Sequence, residues 1–321
     1  MEKIKVAVIG AGNMGKNHVR IYSEMNNVEL IGVADLNENI GKDIAGKINT
    51  NFYRDYKEII NKVDAVSIVV PTKFHYSIAK DFLNANVDVL IEKPITINLN
   101  EADELIKISE ENQRIFQVGH VERFNPAIIE LGKYIKQDEI ISIDASRIGP
   151  FGARITDSGV VLDLMIHDID VLLSLAGDEI ENISAYGKKI KGKHEDYATA
   201  SIKFKNGIIA NLTASRITQR RQRTLKITET EKYIKVDYMN KFLEIFRHAE
   251  SKYITENKDV RFTYSDIVKR PYISQEEPLK LELKSFIDCV KSRKKPVVDG
   301  ISGRKALDVA LMILNEINKN K

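Results

Sequence analysis

From residue 4 the chain alternates short apolar runs with amphipathic stretches: IKVAVIG, MGKNHVRIYSEM, VELIGVAD and NENIGKDIAGKI, then DAVSIVV, HYSIAKDFLNA, VDVLI, LNEADELIKISEEN and IFQVGH. The short runs read as strands and the stretches with apolar residues three and four apart as helices. Strand and helix taking turns predicts a parallel sheet covered on both faces, in a first domain over residues 1–120. The pattern then changes. FNPAIIELGKYIK predicts a helix, ISIDASRIGP a strand, and residues 157–175 one further helix with Asp157 as its N-cap. EIENISAYGKKI, YATASIKFKNG, IIANLTASRIT, RTLKITETEKYIKVDY and FLEIFRH predict strands, with Asn206-Gly207 as a hairpin turn. Their alternation, as in TASIKF, predicts a sheet with one covered face and one partly exposed or subunit-contacting face. PLKLELKSFIDCVKSRKKP and SGRKALDVALMILNEINK close a second domain, residues 121–321, with two helices expected to pack back on the first.

The remaining composition narrows the class. With 321 residues, 43% hydrophobic and 30% charged, the chain is long enough for two cores. Its apolar runs are strand-length, well short of the roughly 20 residues of a membrane helix. MEKIKVAVIG lacks the apolar stretch of a signal peptide, so a cytoplasmic location is expected. The one cysteine, Cys289, excludes a disulfide framework and a cysteine metal cluster, and reads as a packed thiol; no metal is expected. A net charge of +3, from 49 basic and 46 acidic residues, points away from nucleic acid.

Chemistry concentrates at a few places. GAGNMG places Gly10, Gly12 and Gly15, with Asn13 and Met14 between them, in a G-x-G-x-x-G turn from strand to helix. The three glycines suit a tight turn, backbone approach to a pyrophosphate and close helix packing, and the helix start offers N–H groups to phosphates. Asp35, twenty residues beyond Gly15, closes the next strand. A carboxylate there accepts from ribose hydroxyls and repels a 2′-phosphate, which favours NAD. Two more strand ends face the same crevice: PTKFH, with Pro71, Thr72 and His75, and EKP, with Glu92, Lys93 and Pro94. Lys93, after a buried strand and before a proline, has restricted freedom; His75 is structural or a cofactor-pocket contact. In VVLDLMIHDIDVLLSL, residues 160–175, Asp163 and His167 stand four apart and share a helix face, with Asp170 three further on. Such a pair can transfer protons or can be a solvated stripe.

GAGNMG, Asp35, PTKFH, EKP, GHVERFNP and DLMIHDIDVLLSLAG resemble, in order and spacing, the glucose-fructose oxidoreductase, inositol dehydrogenase and MocA family over essentially the whole chain. The resemblance implies an N-terminal Rossmann domain followed by an α+β domain with an open, mostly antiparallel sheet that supports a homodimer or homotetramer. It implies oxidation of a sugar or cyclitol hydroxyl with NAD(P), and carries the catalytic roles onto Lys93, Asp163 and His167. His167 is expected as general base and Lys93 as stabiliser of the alkoxide, although a lysine with a pKa lowered by burial could itself be the base. Lys73 stands where many relatives have asparagine. GHVERFNP, RIGPF and DSGVVLDLMIHDID look most like the branch that oxidises the 3-hydroxyl of UDP-N-acetylglucosamine and prepares it for an aminotransferase. Arg123, Asn125, Arg147 and Arg154 are the expected partners of such a substrate, and His120 lines the sugar pocket or simply packs. The stretch SRITQRRQR, with Arg216, Arg220, Arg221 and Arg223, is a solvated loop or reaches a diphosphate, its own or a neighbouring subunit's. The rival readings are a dehydrogenase of the corresponding uronic acid, of another sugar or of a cyclitol, a non-catalytic NAD sensor, and an NAD-using glycosidase.

Overall fold

A computed structural model describes residues 3–152, 158–177, 179–248, 252–256, 259–263 and 266–319. The chain divides into two compact units, Met1–Phe124 with Glu276–Val309, and Asn125–Gln275 with Ala310–Lys321.

In the first unit, β1 (Ile4–Ile9), β2 (Val28–Ala34), β3 (Asn51–Tyr53), β4 (Ala65–Ile68), β5 (Asp88–Glu92) and β6 (Phe116–Gly119) form a sheet in the order β3-β2-β1-β4-β5-β6. Every neighbouring pair is parallel. Helices α1 (Gly15–Glu24), α2 (Glu38–Ile48), α3 (His75–Asn84) and α4 (Leu99–Glu111) connect the strands. Each residue of β4, β5 and β6 is buried, as expected of strands covered on both faces, whereas the edge strand β3 is not. The helices begin where side chains can accept orphan N–H groups: Asn37 accepts from Ile40 N and Asn98 from Glu101 N. The strand order reverses between β1 and β4, and a reversal of this kind leaves a crevice beyond the carboxyl ends of those strands.

The second unit contains α5 (Pro126–Leu131), β7 (Ile140–Ile148), a π-helical turn (Val161–Met165) running into α6 (Ile166–Ala176), and β8 (Ile180–Lys188), β9 (Tyr197–Phe204), β10 (Ile209–Ser215), β11 (Gln222–Glu229), β12 (Tyr233–Asp237), β13 (Phe242–His248), β14 (Lys252–Glu256), β15 (Asp259–Thr263) and β16 (Asp266–Lys269). Eight of the strands form a sheet ordered β16-β13-β12-β11-β7-β10-β9-β8, antiparallel except between β7 and β10, while β14 and β15 pair with each other. Helix α6 lies on β7 and β10, and α5 on β12 and β13. Burial alternates along β9 and β12 accordingly. The opposite face carries a row of charge across neighbouring strands, Asp144 beside Lys226, Lys226 beside Lys235 and Lys235 beside Glu244. Gly207, at φ +89°, lets the chain reverse between β9 and β10. Sequence periodicity does not single out β14, β15 or β16.

At the carboxyl end, α7 (Pro278–Ser292) is followed by α8 (Gly300–Lys319). Leu283, Phe286 and Ile287 of α7 are fully buried in the same cluster as Val8, Val19 and Tyr22 of the first unit. Cys289 is buried there too, and desolvation raises its thiol pKa, which keeps it a packing group. Among the described residues no helix is long and apolar enough to cross a membrane, and no group of three or more His, Cys, Asp or Glu is placed to hold a metal.

Candidate active site

The glycine turn sits at the β1/β4 reversal. Gly10 adopts φ +105°, and a Cβ there would collide with the Val69 carbonyl at the end of β4. A Cβ on Gly15 would fall on the Gly10 carbonyl oxygen, so only glycine lets α1 start this close to β1. Gly12 differs from both, since a Cβ there would meet nothing within 4 Å. Asn13 is exposed and Met14 half-buried against the core. Asp35 Oδ2 accepts from Ala11 N at 2.6 Å and Oδ1 from Asn37 N at 2.7 Å, which latches the end of β2 to the glycine turn. A groove of about 330 Å³ is bounded by Gly10, Gly12, Asp35, Leu36, Pro71 and Phe74. Leu36, 79% exposed, and Phe74, 40% exposed, give the groove an apolar wall against which a flat ring can lie. Open space beside Gly12, a carboxylate for ribose hydroxyls and an apolar slot for a base together fit NAD. Leu36, Arg54 and Phe74 also line the groove and are not singled out by the sequence, where the one signal is a Leu directly after the strand-closing Asp35.

At the end of β5, Lys93 is half-buried and its peptide bond to Pro94 is cis. Glu92 is buried; its carboxylate accepts from Lys93 N at 3.3 Å and lies 3.2 Å from Nε2 of His18 on α1. His75 is also buried, with Nδ1 2.9 Å from Pro94 O and Nε2 2.9 Å from Val70 O. The ring thus sits between the loop after β4 and the Lys93 turn, where a neutral imidazole donates to one of the two carbonyls, and burial lowers its pKa against the smaller opposing effect of those carbonyls. Placed in this way, His75 shapes the groove wall through the backbone. Thr72 opens the short turn Thr72–Phe74, and Lys73 lies 4.9 Å from the Phe74 ring. His120 is 1% exposed; burial, reinforced by the positive charges of Lys93 and Arg123, pushes it down to about 3. It is a neutral ring at working pH, and Arg123 beside it is half-buried.

In the second unit, Asp163 lies in the π turn and His167 in the first turn of α6, both half-buried. This corrects the expectation of one uninterrupted α-helix: five residues widen into i→i+5 geometry, a form that concentrates at functional sites. The expected cap Asp157 falls outside the described residues, and so does Arg154. A distant carboxylate supplies the described cap instead, Glu195 Oε1 accepting from Val161 N at 3.2 Å. Two expected substrate residues hold the fold together. Arg147, 3% exposed, donates from Nε and Nη2 to the two oxygens of buried Asp168, each at 2.9 Å, so its fork serves the β7–α6 contact. Asn125, 2% exposed, caps α5 by accepting from Ala127 N and donates to Tyr238 O. Asp168 and Asp170 are buried.

A neutral buried His120 has a thermodynamic signature. The unfolded chain protonates it near the ordinary 6.5 and the folded chain only near 3, so between these values unfolding takes up a proton and stability falls with falling pH. In urea titrations from about pH 7 to about pH 4, His120→Gln should remove up to ~1.4 kcal/mol per pH unit from the slope of stability against pH. Equal slopes in the two proteins would show that the ring is not held neutral.

The model of an oxidoreductase family with an NAD-binding Rossmann fold, GFO/IDH/MocA, matches residues 4–120, and that of the GFO/IDH/MocA C-terminal domain matches residues 143–235. UDP-N-acetylglucosamine 3-dehydrogenase of Acidithiobacillus ferrooxidans is 33% identical over 316 residues, 98% of this chain and 97% of the relative. A solved structure of that enzyme aligns with a TM-score of 0.89 at 31% identity, covering 99% of this chain and 98% of the other. The scyllo-inositol 2-dehydrogenase (NAD(+)) of Bacillus subtilis is 26% identical over 331 residues, 98% of this chain and 94% of the relative. Levoglucosan dehydrogenase, solved with NADH and L-sorbose, has the same fold at 18% identity, with a TM-score of 0.84 covering 99% of this chain and 98% of the other. The chain belongs to the GFO/IDH/MocA oxidoreductase family and is an NAD-binding enzyme of the kind that acts on CH–OH groups.

Proposed function

We propose that this enzyme oxidises the 3-hydroxyl of UDP-N-acetylglucosamine to the 3-keto nucleotide sugar. The observation that carries the substrate is the 33% identity, sustained over 98% of the chain, to a relative named for that reaction, against 26% to the inositol dehydrogenase. When bound along Gly10, Gly12, Gly15 and Asp35, NAD supplies the hydride acceptor. The chain's own residues do the rest. His167, with an imidazole that ordinarily titrates near neutrality, takes the hydroxyl proton. Lys93 places its positive charge at the oxygen and stabilises the negative charge that develops there. Asp163, four residues before His167, holds the substrate in register with both. With Arg147 committed to Asp168, we assign the diphosphate to Arg123. The 3-keto product suits a following transamination, and we assign the half-exposed face of the eight-stranded sheet to contact with further copies of the chain.

Lys93→Ala and His167→Ala should each lower turnover of UDP-N-acetylglucosamine by roughly 10² or more, with NADH affinity retained in a fluorescence titration. Wild-type turnover in either variant would remove that residue from the mechanism. At the cofactor, Gly12→Ala should leave the melting temperature unchanged, because its Cβ meets nothing within 4 Å, and still weaken NADH binding. Asp35→Ala should relax discrimination against NADPH. Undiminished NADH affinity in Gly12→Ala, or unaltered selectivity in Asp35→Ala, would contradict the placement of the dinucleotide.

A further inference from the structure

The basic stretch from Ser215 to Arg223 does not act as one patch. Arg220 and Arg221 are exposed, but Arg216, at the end of β10, is 2% exposed. Its Nε donates to Asp196 Oδ1 at 2.7 Å and its Nη1 to the Ser158 carbonyl at 2.8 Å. Asp196 is fully buried, and its second oxygen accepts the backbone N–H groups of Ile190, Lys191 and Gly192 at 2.6–2.9 Å. The neighbouring Glu195 is buried as well. Its backbone carbonyl accepts from Val160 N at 3.0 Å and its side chain from Val161 N at 3.2 Å, while a Cβ on Gly159 would collide with that carboxylate.

These groups converge on residues 158–161, the four that lead into the π turn, and the next link is Asp163 N donating to Gly159 O. We propose that Glu195, Asp196 and Arg216 form a buried clasp that positions Asp163 and His167; this rests on the reading of those two as functional residues. They are positioning residues, since all three are buried and act through the backbone of residues 158–161.

The physical argument has three parts. A π turn is a rare geometry that holds only when its surroundings fix it, and here its first amide is fixed by a carboxylate. Negative charge at that end also suits the orphan N–H groups and the dipole of the helix that follows. Finally, a buried guanidinium–carboxylate pair tolerates little displacement, because loss of either partner strands a charge out of water. Burial alone would raise the Asp196 pKa, but the N–H groups of Gly192 and Lys191, with the Arg216 guanidinium, outweigh it and leave the carboxyl well below its ordinary range. Ser158 O is therefore held by a permanently charged pair.

The test compares Arg216→Lys, Arg216→Met and Glu195→Gln with Ile234→Ala, a fully buried position in β12 of the same sheet, which packs on α5 and serves as a stability control. Arg216→Lys keeps the charge but loses the fork, and Glu195→Gln keeps a carbonyl oxygen that can still accept from Val161 N. The clasp predicts roughly 10- to 100-fold lower kcat in Arg216→Met, with KM for NAD unchanged and an intermediate loss in the two conservative variants. Ile234→Ala should lose melting temperature without losing kcat per folded molecule. Wild-type kcat in all three clasp variants, or an equal kcat loss in Ile234→Ala at matched melting temperature, would overturn the proposal. An independent readout needs no substrate: amide exchange at Val160, Val161 and Asp163 should accelerate about tenfold or more in Arg216→Met. Unchanged exchange there would overturn the clasp whatever the enzyme oxidises, whereas an inactive wild type with normal protection would fault the substrate reading alone.

Discussion

The contact on which the first unit depends is the one between Gly15 and the carbonyl of Gly10, where there is no room for a side chain. Because α1 must begin against the end of β1, its N-terminus is fixed at the reversal of strand order, where a dinucleotide's phosphates can meet it. One turn further, His18 on the same helix faces Glu92, so the helix that begins at the cradle also braces the strand end that presents Lys93. The opposite face of α1 uses Arg20 to bind Glu277 just before α7, in a partly exposed pair that adds orientation more than stability. Cofactor groove, Lys93 and the packing of α7 are thus consequences of where a single helix starts.

The second unit solves a different problem, holding a short irregular helical turn against an open sheet. It does so with buried ion pairs. Arg147–Asp168 joins β7 to α6, Arg216–Asp196 joins the end of β10 to the start of β9 while Arg216 also holds the Ser158 carbonyl ahead of the π turn, and Glu195 closes the turn itself. Such pairs contribute little net stability relative to apolar packing of the same volume, but they penalise any other arrangement. That suits a turn to which we assign the positioning of Asp163 and His167.

Most of the fold was legible because period-two and period-3.6 patterns are local and hydrophobic. The cofactor turn was legible for a related reason, since Gly10, Gly12, Gly15 and Asp35 announce backbone geometry and charge at fixed spacing. What escaped was long-range pairing. Nothing near Arg147 or Asn125 in the sequence says that Asp168 and Tyr238 will claim them, and nothing near Val161 says that its cap arrives from Glu195, thirty-four residues away. The π turn was hidden for the same reason, because its residues carry an ordinary helical pattern and its bonding partner, Glu195, lies in the distant connection between β8 and β9. Two polar residues read as substrate contacts, Arg147 and Asn125, also carry structural bonds that reach across the fold.

The central claim is that hydride leaves C3 of UDP-N-acetylglucosamine. The most direct measurement supplies the nucleotide sugar with deuterium at C3, together with NAD and hydroxylamine to trap a ketone, and reads both the reduced cofactor and the sugar by mass spectrometry. The account predicts deuterium in NADH and a trapped sugar that has lost it. Reduced cofactor without deuterium, or a sugar that keeps its label while the protein demonstrably binds NAD, would contradict it.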